Sequence, residues 1–219
     1  MLSWIVRIIR RIKALRHVEI DGSSSRFIFA KDVSIRCGKG SKIIVRNGIV
    51  RIGYPLPGLM RHAHFPMSEI TLAEGATLIF DGDVCIAPGA TIYIGKDAKA
   101  TFAGNNFISY NFKLLCNREF SFGRYSNMSW GVTLIDDDLH RFRTCDGKKL
   151  RTVSQPMLIG KNVGIQMNVS IPRGVTIGDN SMIAAGLILR QDIPSDSTAL
   201  GEEKLKVKHG FCCGPTPIE

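Results

Sequence analysis

The sequence has no long apolar run of the kind that a membrane-spanning helix or a secretory leader requires. Within the first twenty residues, every apolar stretch is soon interrupted by Arg or Lys. A spanning helix needs about 20 consecutive, mostly apolar residues. We therefore predict that the N-terminal segment is neither a span nor a leader peptide.

The sequence also lacks paired cysteines and nucleotide-binding loops. Its six cysteines are scattered without a CxxC pair, which is typical of free thiols in a reducing compartment. It contains no GxxxxGK[ST] loop, and no GxGxxG stands at a strand-to-helix junction. These absences argue against a secreted disulfide fold, nucleotide hydrolysis and dinucleotide binding, and we expect a cytoplasmic protein.

Aromatic and acidic residues are both scarce. Aromatics make up 8% of the 219 residues, whereas there are 22 glycines, and this balance favours a β architecture with many corners over a helical bundle. The 29 Lys and Arg outnumber the 19 Asp and Glu, which gives a net charge of +10. The charge favours an anionic partner but does not choose among nucleic acid, a membrane surface and a phosphorylated ligand.

The N-terminal residues 1–18 are predicted to form a basic amphipathic helix. Its apolar residues recur at helical spacing: Ile5, Ile8, Ile9, Ile12 and Leu15. Arg and Lys fill the positions between them, so the helix is suited to lie on an anionic bilayer at the inner membrane face. A helix that covers the open end of the domain, or packs on a neighbouring subunit, explains the pattern equally well.

A six-residue period organises the second half of the chain. Aliphatic residues stand six apart without a slip: Ile159, Ile165, Ile171, Ile177, Ile183 and Leu189. A second series lies two residues before them: Met157, Val163, Val169, Val175, Ser181 and Leu187. Because neither a helix nor an ordinary meander keeps this period, we predict a three-sided coil of short strands with the aliphatics inside. The small residues that follow each aliphatic are expected to let the chain bend.

The same pattern continues upstream with spacings of six or eight: Leu72, Leu78, Ile86, Ile94, Ala100, Ile108, Leu114, Phe122, Met128 and Leu134. It breaks at residues 136–156, which are polar and too long for a corner, and such an insertion in a solenoid usually carries function. The predicted organisation is a helix (1–18), opening coils with a loop near 54–67 (19–70), a β-helix (71–200) with an external loop (136–156), and a tail (201–219).

The hexads and the RQDIP that follows them resemble the hexapeptide-repeat acyltransferases. The segment SWGVTLIDDDLH is similar to the branch of sugar O-acetyltransferases that act in surface-polysaccharide pathways. The resemblance covers roughly residues 70–205. It implies an all-β fold, the left-handed parallel β-helix, in a homotrimer that takes acetyl-CoA as donor and a sugar or glycan as acceptor. It implies neither a metal nor a nucleic-acid partner.

The resemblance also implies roles for particular residues. His140 matches the catalytic base of the family, and Asp136 and Asp138 match the acidic pair before it. Ser129 and Trp130 match a Ser-Trp that lines the acceptor cleft. Basic side chains along the repeats are candidates for contact with the phosphates of CoA: Lys161, Arg173, Arg190 and Lys204. The chain departs from the family at Gly164-Ile165-Gln166, where Trp-Ile-Gly is common, and at residues 201–204, where GEEK replaces the usual small-Pro-Ala-Lys ending.

These residue types suit acyl transfer. An imidazole with a pKa near ~6.5 can take the proton of a sugar hydroxyl as it attacks a thioester. A carboxylate that holds the other ring nitrogen steadies the charged form, and either Asp136 or Asp138 lies close enough in sequence, with Asp136 slightly favoured. The alternatives are an N-acyltransferase on an amino or nucleotide sugar, a serine acetyltransferase, a zinc-dependent carbonic anhydrase of the γ type, and a non-catalytic scaffold.

Overall fold

The computed structural model describes residues 13–55, 65–139 and 154–201, which form one coil of short strands in three parallel sheets. Sheet A contains β1 (Val18–Asp21), β4 (Lys42–Arg46), β7 (Thr77–Asp81), β10 (Lys99–Phe102), β13 (Glu119–Phe122), β16 (Met157–Ile159) and β19 (Thr176–Ile177). Sheet B contains β2 (Arg26–Phe29), β5 (Ile49–Ile52), β8 (Val84–Ile86), β11 (Asn106–Ile108), β14 (Asn127–Met128), β17 (Gly164–Ile165), β20 (Met182–Ile183) and β21 (Thr198–Ala199). Sheet C contains β3 (Val33–Cys37), β6 (Ser68–Leu72), β9 (Thr91–Ile94), β12 (Lys113–Cys116), β15 (Thr133–Ile135) and β18 (Ser170–Ile171).

Three successive strands make one turn of the coil, and each pairs in parallel with the strand one turn later. The opening strands β1 to β5 lie in the same three sheets as the later ones. We call the places where the chain passes between sheets the A/B, B/C and C/A edges. The predicted all-β parallel coil is therefore confirmed, and it begins at Val18.

The predicted inward series is also confirmed. Ile165 pairs with Met128 in the turn before it and with Ile183 in the turn after it, and all three side chains are buried. The same holds along the coil, where the aliphatics of both upstream and downstream series lie in one continuous core. Burial of this apolar column is the main force that holds the turns together, because each strand is only two to five residues long.

The bends of the coil lie at a different hexad position from the one that the sequence predicts. Left-handed backbone conformations recur every six residues, three positions after each inward aliphatic: Asn162 (φ 55°), Asn168 (φ 56°), Gly174 (φ 76°), Asn180 (φ 57°) and Gly186 (φ 77°). Asn and Gly adopt this conformation at the lowest cost. The small residues directly after the aliphatics have another role. A Cβ on Gly160 or Gly178 would meet the neighbouring turn at less than 3 Å, so these glycines allow close stacking.

Two segments leave the coil at its edges. Residues 53–67 separate β5 from β6 at the B/C edge, and residues 136–156 separate β15 from β16 at the C/A edge. The second interval is the predicted external loop. Strand register is kept across it, since Phe122 pairs with Ile159 and Leu134 with Ile171.

The N-terminal segment meets the first turn of the coil. Residues 13–15 are helical, and most of the predicted helix lies outside the described residues. Ala14 is buried in the core, and Nδ1 of His17 lies 2.9 Å from the carbonyl oxygen of Ser41. The described part of this segment thus covers the open end of the coil. No helix among the described residues is long and apolar enough to cross a bilayer.

The left-handed corners give a test of the coil. In Asn168→Val, a β-branched residue must adopt φ near 56°, so we expect a loss of about 1–2 kcal/mol in the free energy of unfolding and a lower Tm. Asn168→Gly should lose less, since Gly accepts this conformation. Thr176→Val, on an exposed strand position, is the matched control and should unfold like the original protein in thermal circular dichroism. An Asn168→Val protein as stable as the control would contradict the assignment of this corner.

Candidate active site

A hollow of about 270 Å³ lies on the C/A edge, at the place where the external loop leaves the coil. Its lining consists of Thr133, Ile135, Asp137, Asp138, Ser170, Ile171, Pro172, Arg173 and Ile188. The described chain stops beside it at Leu139 and resumes at Ser154. The strands that form its floor, β15 and β18, belong to successive turns and pair in parallel.

The two ends of the external loop are held side by side. Asp137 and Ser154 form an antiparallel bridge, and the N–H of Gln155 donates to the carbonyl oxygen of Asp136 at 2.9 Å. The guanidinium of Arg118, in the turn before, donates to the carbonyl oxygen of Ser154 at 3.3 Å. We call this paired base, residues 136–139 and 154–155, the neck of the loop.

Asp136 is fully buried and uses both carboxylate oxygens to hold a corner of the preceding turn. Oδ1 accepts the N–H of Asn117 at 2.6 Å, and Oδ2 accepts those of Arg118 and Glu119 at 2.8 and 3.1 Å. Burial raises the pKa of this carboxyl, against the lowering effect of the amides. Burial, and then the nearby Asp136 charge, raises the pKa of the Cys116 thiol. The geometry gives Asp136 a structural role.

Asp138 lies in the hollow and forms an ion pair with Arg173 of the next turn. Oδ1 of Asp138 is 2.7 Å from Nε of Arg173, although the N–H is not aligned for a hydrogen bond. The Arg173 side chain is only 9% exposed and that of Asp138 27%. Nη1 of Arg173 also donates to Oε1 of Gln155 at 2.9 Å. Arg173, predicted as a CoA contact, therefore has its two guanidinium contacts on the neck.

Leu139 is the last described residue before His140 and has an unusual backbone. Its φ is 58°, and its N–H donates to Oδ1 of Asp137 at 2.6 Å. The side chain is 61% exposed, so the conformation is not explained by burial of the leucine. A non-glycine residue in the left-handed region costs roughly 1–2 kcal/mol, and such positions cluster at functional sites.

The structure does not bring Ser129 and Trp130 to this hollow within one chain. Both follow β14 at the B/C edge, at the opposite end of β15 from Asp138. Trp130 packs beside buried Tyr110, whose ring stacks on that of Phe65 with centroids 4.2 Å apart. Sequence analysis missed this external aromatic cluster, because Tyr110 and Trp130 are 20 residues apart and become neighbours only through the turn of the coil.

The predicted basic residues separate along two edges. Lys161 lies at the A/B edge, with Nζ 3.5 Å from Oδ2 of Asp179. Arg190 lies at the C/A edge, one turn beyond Arg173, and has no ion pair with a carboxylate in the described part of the chain. It lines a second hollow, of about 500 Å³, formed by residues 187–194 and 197–200. The two hollows share Ile188. His140 and Lys204 lie outside the described residues.

No group of three or more His, Cys, Asp and Glu that could hold a metal occurs among the described residues. His17 is the one histidine in this part of the chain, and it lies at the N-terminal end of the coil. His62, His64, His140 and His209 lie outside it.

Comparison with known proteins finds repeats similar to those of this chain. Residues 156–191 match the bacterial transferase hexapeptide model of six repeats. The chain is 30% identical over 137 residues to the galactoside O-acetyltransferase of Escherichia coli K12, which is 62% of each chain. It is 25% identical over 180 residues to the bifunctional protein GlmU of Streptococcus uberis, 78% of this chain and 35% of that protein. The chain thus spans less than two thirds of the length of these relatives.

Among solved structures, the polySia specific acetyltransferase NeuO aligns over 92% of this chain and 84% of that chain, with 21% identity and a TM-score of 0.44. Residues 156–191 thus resemble the bacterial transferase hexapeptide repeats, and they belong to a coil of three parallel sheets among the described residues.

Proposed function

We propose that the chain is an acetyl-CoA-dependent O-acetyltransferase that acts on a sugar hydroxyl of a cell-surface polysaccharide, with His140 as general base. The observation that carries the proposal is the neck. It holds the residues directly before His140 against a hollow on the C/A edge, where Asp138 is partly exposed. The likeness to a galactoside O-acetyltransferase supports a sugar hydroxyl over an amine or the hydroxyl of serine.

The chemistry needs one proton carrier and one carboxylate. Bound acetyl-CoA supplies the acetyl group as a thioester. The imidazole of His140 takes the proton of the sugar hydroxyl while the sugar oxygen forms a bond to the carbonyl carbon. The carbon–sulfur bond then breaks, and the imidazolium returns the proton to the departing thiolate. The products are the sugar acetate and the free thiol, and His140 ends as it began.

Asp138 is the better partner for His140. Both oxygens of Asp136 already accept backbone N–H groups, and this side chain is fully buried. Asp138 lines the hollow and keeps 27% of its side chain exposed. A carboxylate at this place can hold the imidazole in one tautomer and stabilise its charged form.

The donor is proposed to lie along the C/A edge, beside the hollow that Asp138 lines. Ile188 forms an apolar wall of this hollow, and Arg190 follows two residues later at the same edge. An extended, mostly apolar arm that ends in phosphates fits such a track, with the guanidinium of Arg190 on a phosphate. Lys161 lies on another edge of the same chain, so it reaches a donor at this place only from a neighbouring subunit of the proposed trimer.

The N-terminal end is proposed to contact an anionic membrane surface. Lys13, Arg16 and Arg36 line one hollow there and are exposed. None of the three forms an ion pair with a carboxylate of the described residues. The preceding residues 1–12 add further positive charge. Each basic residue near an anionic leaflet contributes about 1 kcal/mol, so this end of the coil would turn towards the inner membrane face.

Loss of the base should nearly abolish turnover. For His140→Ala we expect kcat for release of free CoA, with sugar oligomers as acceptors, to fall about 10²- to 10⁴-fold. In the original protein, kcat/KM should fall below a pH of ~6.5, because a protonated imidazole cannot accept a proton. His62→Ala, in the interval between β5 and β6, is the control and should keep both turnover and pH profile. Full turnover by His140→Ala would remove His140 from the mechanism.

Substitution of the two carboxylates should have different effects on stability and turnover. Asp136→Asn presents an amide group to the backbone N–H groups of Asn117, Arg118 or Glu119 and should cost about 1–3 kcal/mol in the free energy of unfolding. Asp138→Asn should lower kcat on the order of 10²-fold and should also lower Tm, because it removes the charge that pairs with the largely buried guanidinium of Arg173, whereas folded Asp136→Asn protein should keep its kcat. Thermal unfolding and steady-state kinetics on both variants separate these roles. An Asp136→Asn protein of normal stability but low kcat would make Asp136 the partner of the base.

Reversal of charge at the N-terminal end should release the protein from membranes. The triple variant Lys13→Glu, Arg16→Glu and Arg36→Glu is expected to bind vesicles of phosphatidylglycerol and phosphatidylcholine at least about 10²-fold more weakly. The control reverses three exposed cations of the middle turns, Lys96, Lys99 and Arg124, and should bind like the original protein. Equal sedimentation of both variants with these vesicles would contradict the proposed contact.

A further inference from the structure

Arg173 contacts both ends of the neck at once. Its Nε lies 2.7 Å from Oδ1 of Asp138, in the segment that enters the external loop, and its Nη1 donates at 2.9 Å to Oε1 of Gln155, in the segment that leaves it. The Arg173 side chain comes from the next turn of the coil, after β18. One residue outside the loop thus joins the segment that enters the loop to the segment that leaves the loop.

The other contacts of the neck do not replace this one. The bridge between Asp137 and Ser154 and the bond from Gln155 to Asp136 are made by backbone groups of the two neck strands themselves. They pair the strands with each other but do not fix the pair against the later turns. Arg118 holds Ser154 from the turn before. Arg173 is the contact from the turn after, on the side where Ile171, Pro172 and Ile188 line the hollow.

The surroundings of Arg173 disfavour the phosphate-binding role that the family resemblance suggests. Its side chain is 9% exposed, and Asp138 already neutralises its charge. A guanidinium that binds phosphate from solution must give its N–H groups to the phosphate oxygens. To do so here, Arg173 would have to break its ion pair with Asp138 and move a side chain that is only 9% exposed towards the solvent.

We propose that Arg173 is a positioning residue: it sets the neck of the external loop, and with it the residues that lead directly into His140. The inference rests on the proposed function for its effect on turnover, but its effect on the loop stands apart from any activity. Arg173 acts through Asp138 and Gln155 and does not touch the reacting atoms. The donor phosphates are left to Arg190 and to residues outside this neck.

The test compares Arg173→Met, Arg173→Lys and Gln155→Leu with the full-length protein. Arg173→Met removes the charge and both contacts, Arg173→Lys keeps the charge, and Gln155→Leu removes one contact at an exposed residue. The control is Lys96→Met, because Lys96 also lies at the C/A edge and pairs with an acid of the adjacent turn, Glu74, at 3.6 Å. Both members of that control pair are well exposed, and no loop leaves the coil there.

The first readout is brief digestion with trypsin followed by mass spectrometry. The external loop carries five cleavage sites: Arg141, Arg143, Lys148, Lys149 and Arg151. Arg173→Met should speed cleavage at these sites on the order of 10-fold, since a loosened neck opens more often. Gln155→Leu should give a smaller increase, and Lys96→Met none. Unchanged cleavage in Arg173→Met and Gln155→Leu would overturn the inference, and it would do so even if the protein proved to have no transferase activity.

The second readout is the effect of each variant on kcat and, separately, on KM. A positioning role predicts that Arg173→Met lowers kcat at least about 10-fold while KM for acetyl-CoA changes less than about 2-fold, and that Arg173→Lys recovers part of kcat. A rise in KM for acetyl-CoA with unchanged kcat and loop cleavage would instead make Arg173 a donor contact and overturn the proposal. If Arg173→Met does not fold, the same comparison is made with Arg173→Lys and Gln155→Leu, which leave the core intact.

Discussion

The parallel register between successive turns is the constraint on which the remaining structure depends. Each strand pairs with the strand one turn away, and the inward aliphatics stack directly on one another, as Met128, Ile165 and Ile183 do in sheet B. A slip of one residue would turn a whole inward face outwards. The register therefore also determines which residues are neighbours at the edges. A residue at the C/A edge in one turn must lie beside the corresponding residue of the next turn.

This constraint explains how the coil accepts a long insertion without disturbance. The strands on either side of residues 136–156 keep their pairing, with Phe122 against Ile159 and Leu134 against Ile171. The entropic cost of closing a loop grows slowly with its length, whereas the buried column of aliphatics is lost if the register shifts. The insertion is consequently confined to an edge, and its ends are forced together there. The neck is the outcome of that confinement.

The parts of the fold that follow from a period were predictable, and the parts that follow from the stacking of turns were not. Every aliphatic of the six-residue series is found inside, because alternation along a short strand decides which side chain faces the core. Alternation also suggests that Asp136 and Asp138 are equivalent, but β15 ends at Ile135, so the rule no longer applies to them. One points to buried amides and the other to the hollow.

The ion-pair partner of Asp138 could not be predicted from the sequence for a related reason. Residues that stack in adjacent turns without an insertion are separated by 16 to 22 positions from β6 onwards, as Ile165 and Ile183 are, whereas the external loop moves Arg173 35 positions from Asp138. A basic residue after a repeat therefore looked like a free surface cation suited to phosphate. The bend of the coil was misplaced for a local reason: the small residue after each aliphatic suggested a corner, while the left-handed backbone is adopted two positions later, mostly by Asn and Gly.

A largely buried ion pair costs desolvation free energy, and its position therefore matters. Removing both charges from water costs several kcal/mol, and a hydrophobic contact of similar size often stabilises a core better. Asp138 and Arg173 occur at the C/A edge, where the polar external loop leaves the coil, next to a leucine held at a φ of 58°. A hydrophobic contact at this place would hold the neck without fixing its direction. An ion pair and a hydrogen bond from one guanidinium have defined geometry, so they hold the neck at one orientation. The coil thus supplies a floor of fixed spacing, and Arg173 transmits that fixed spacing to the chain that leads into His140.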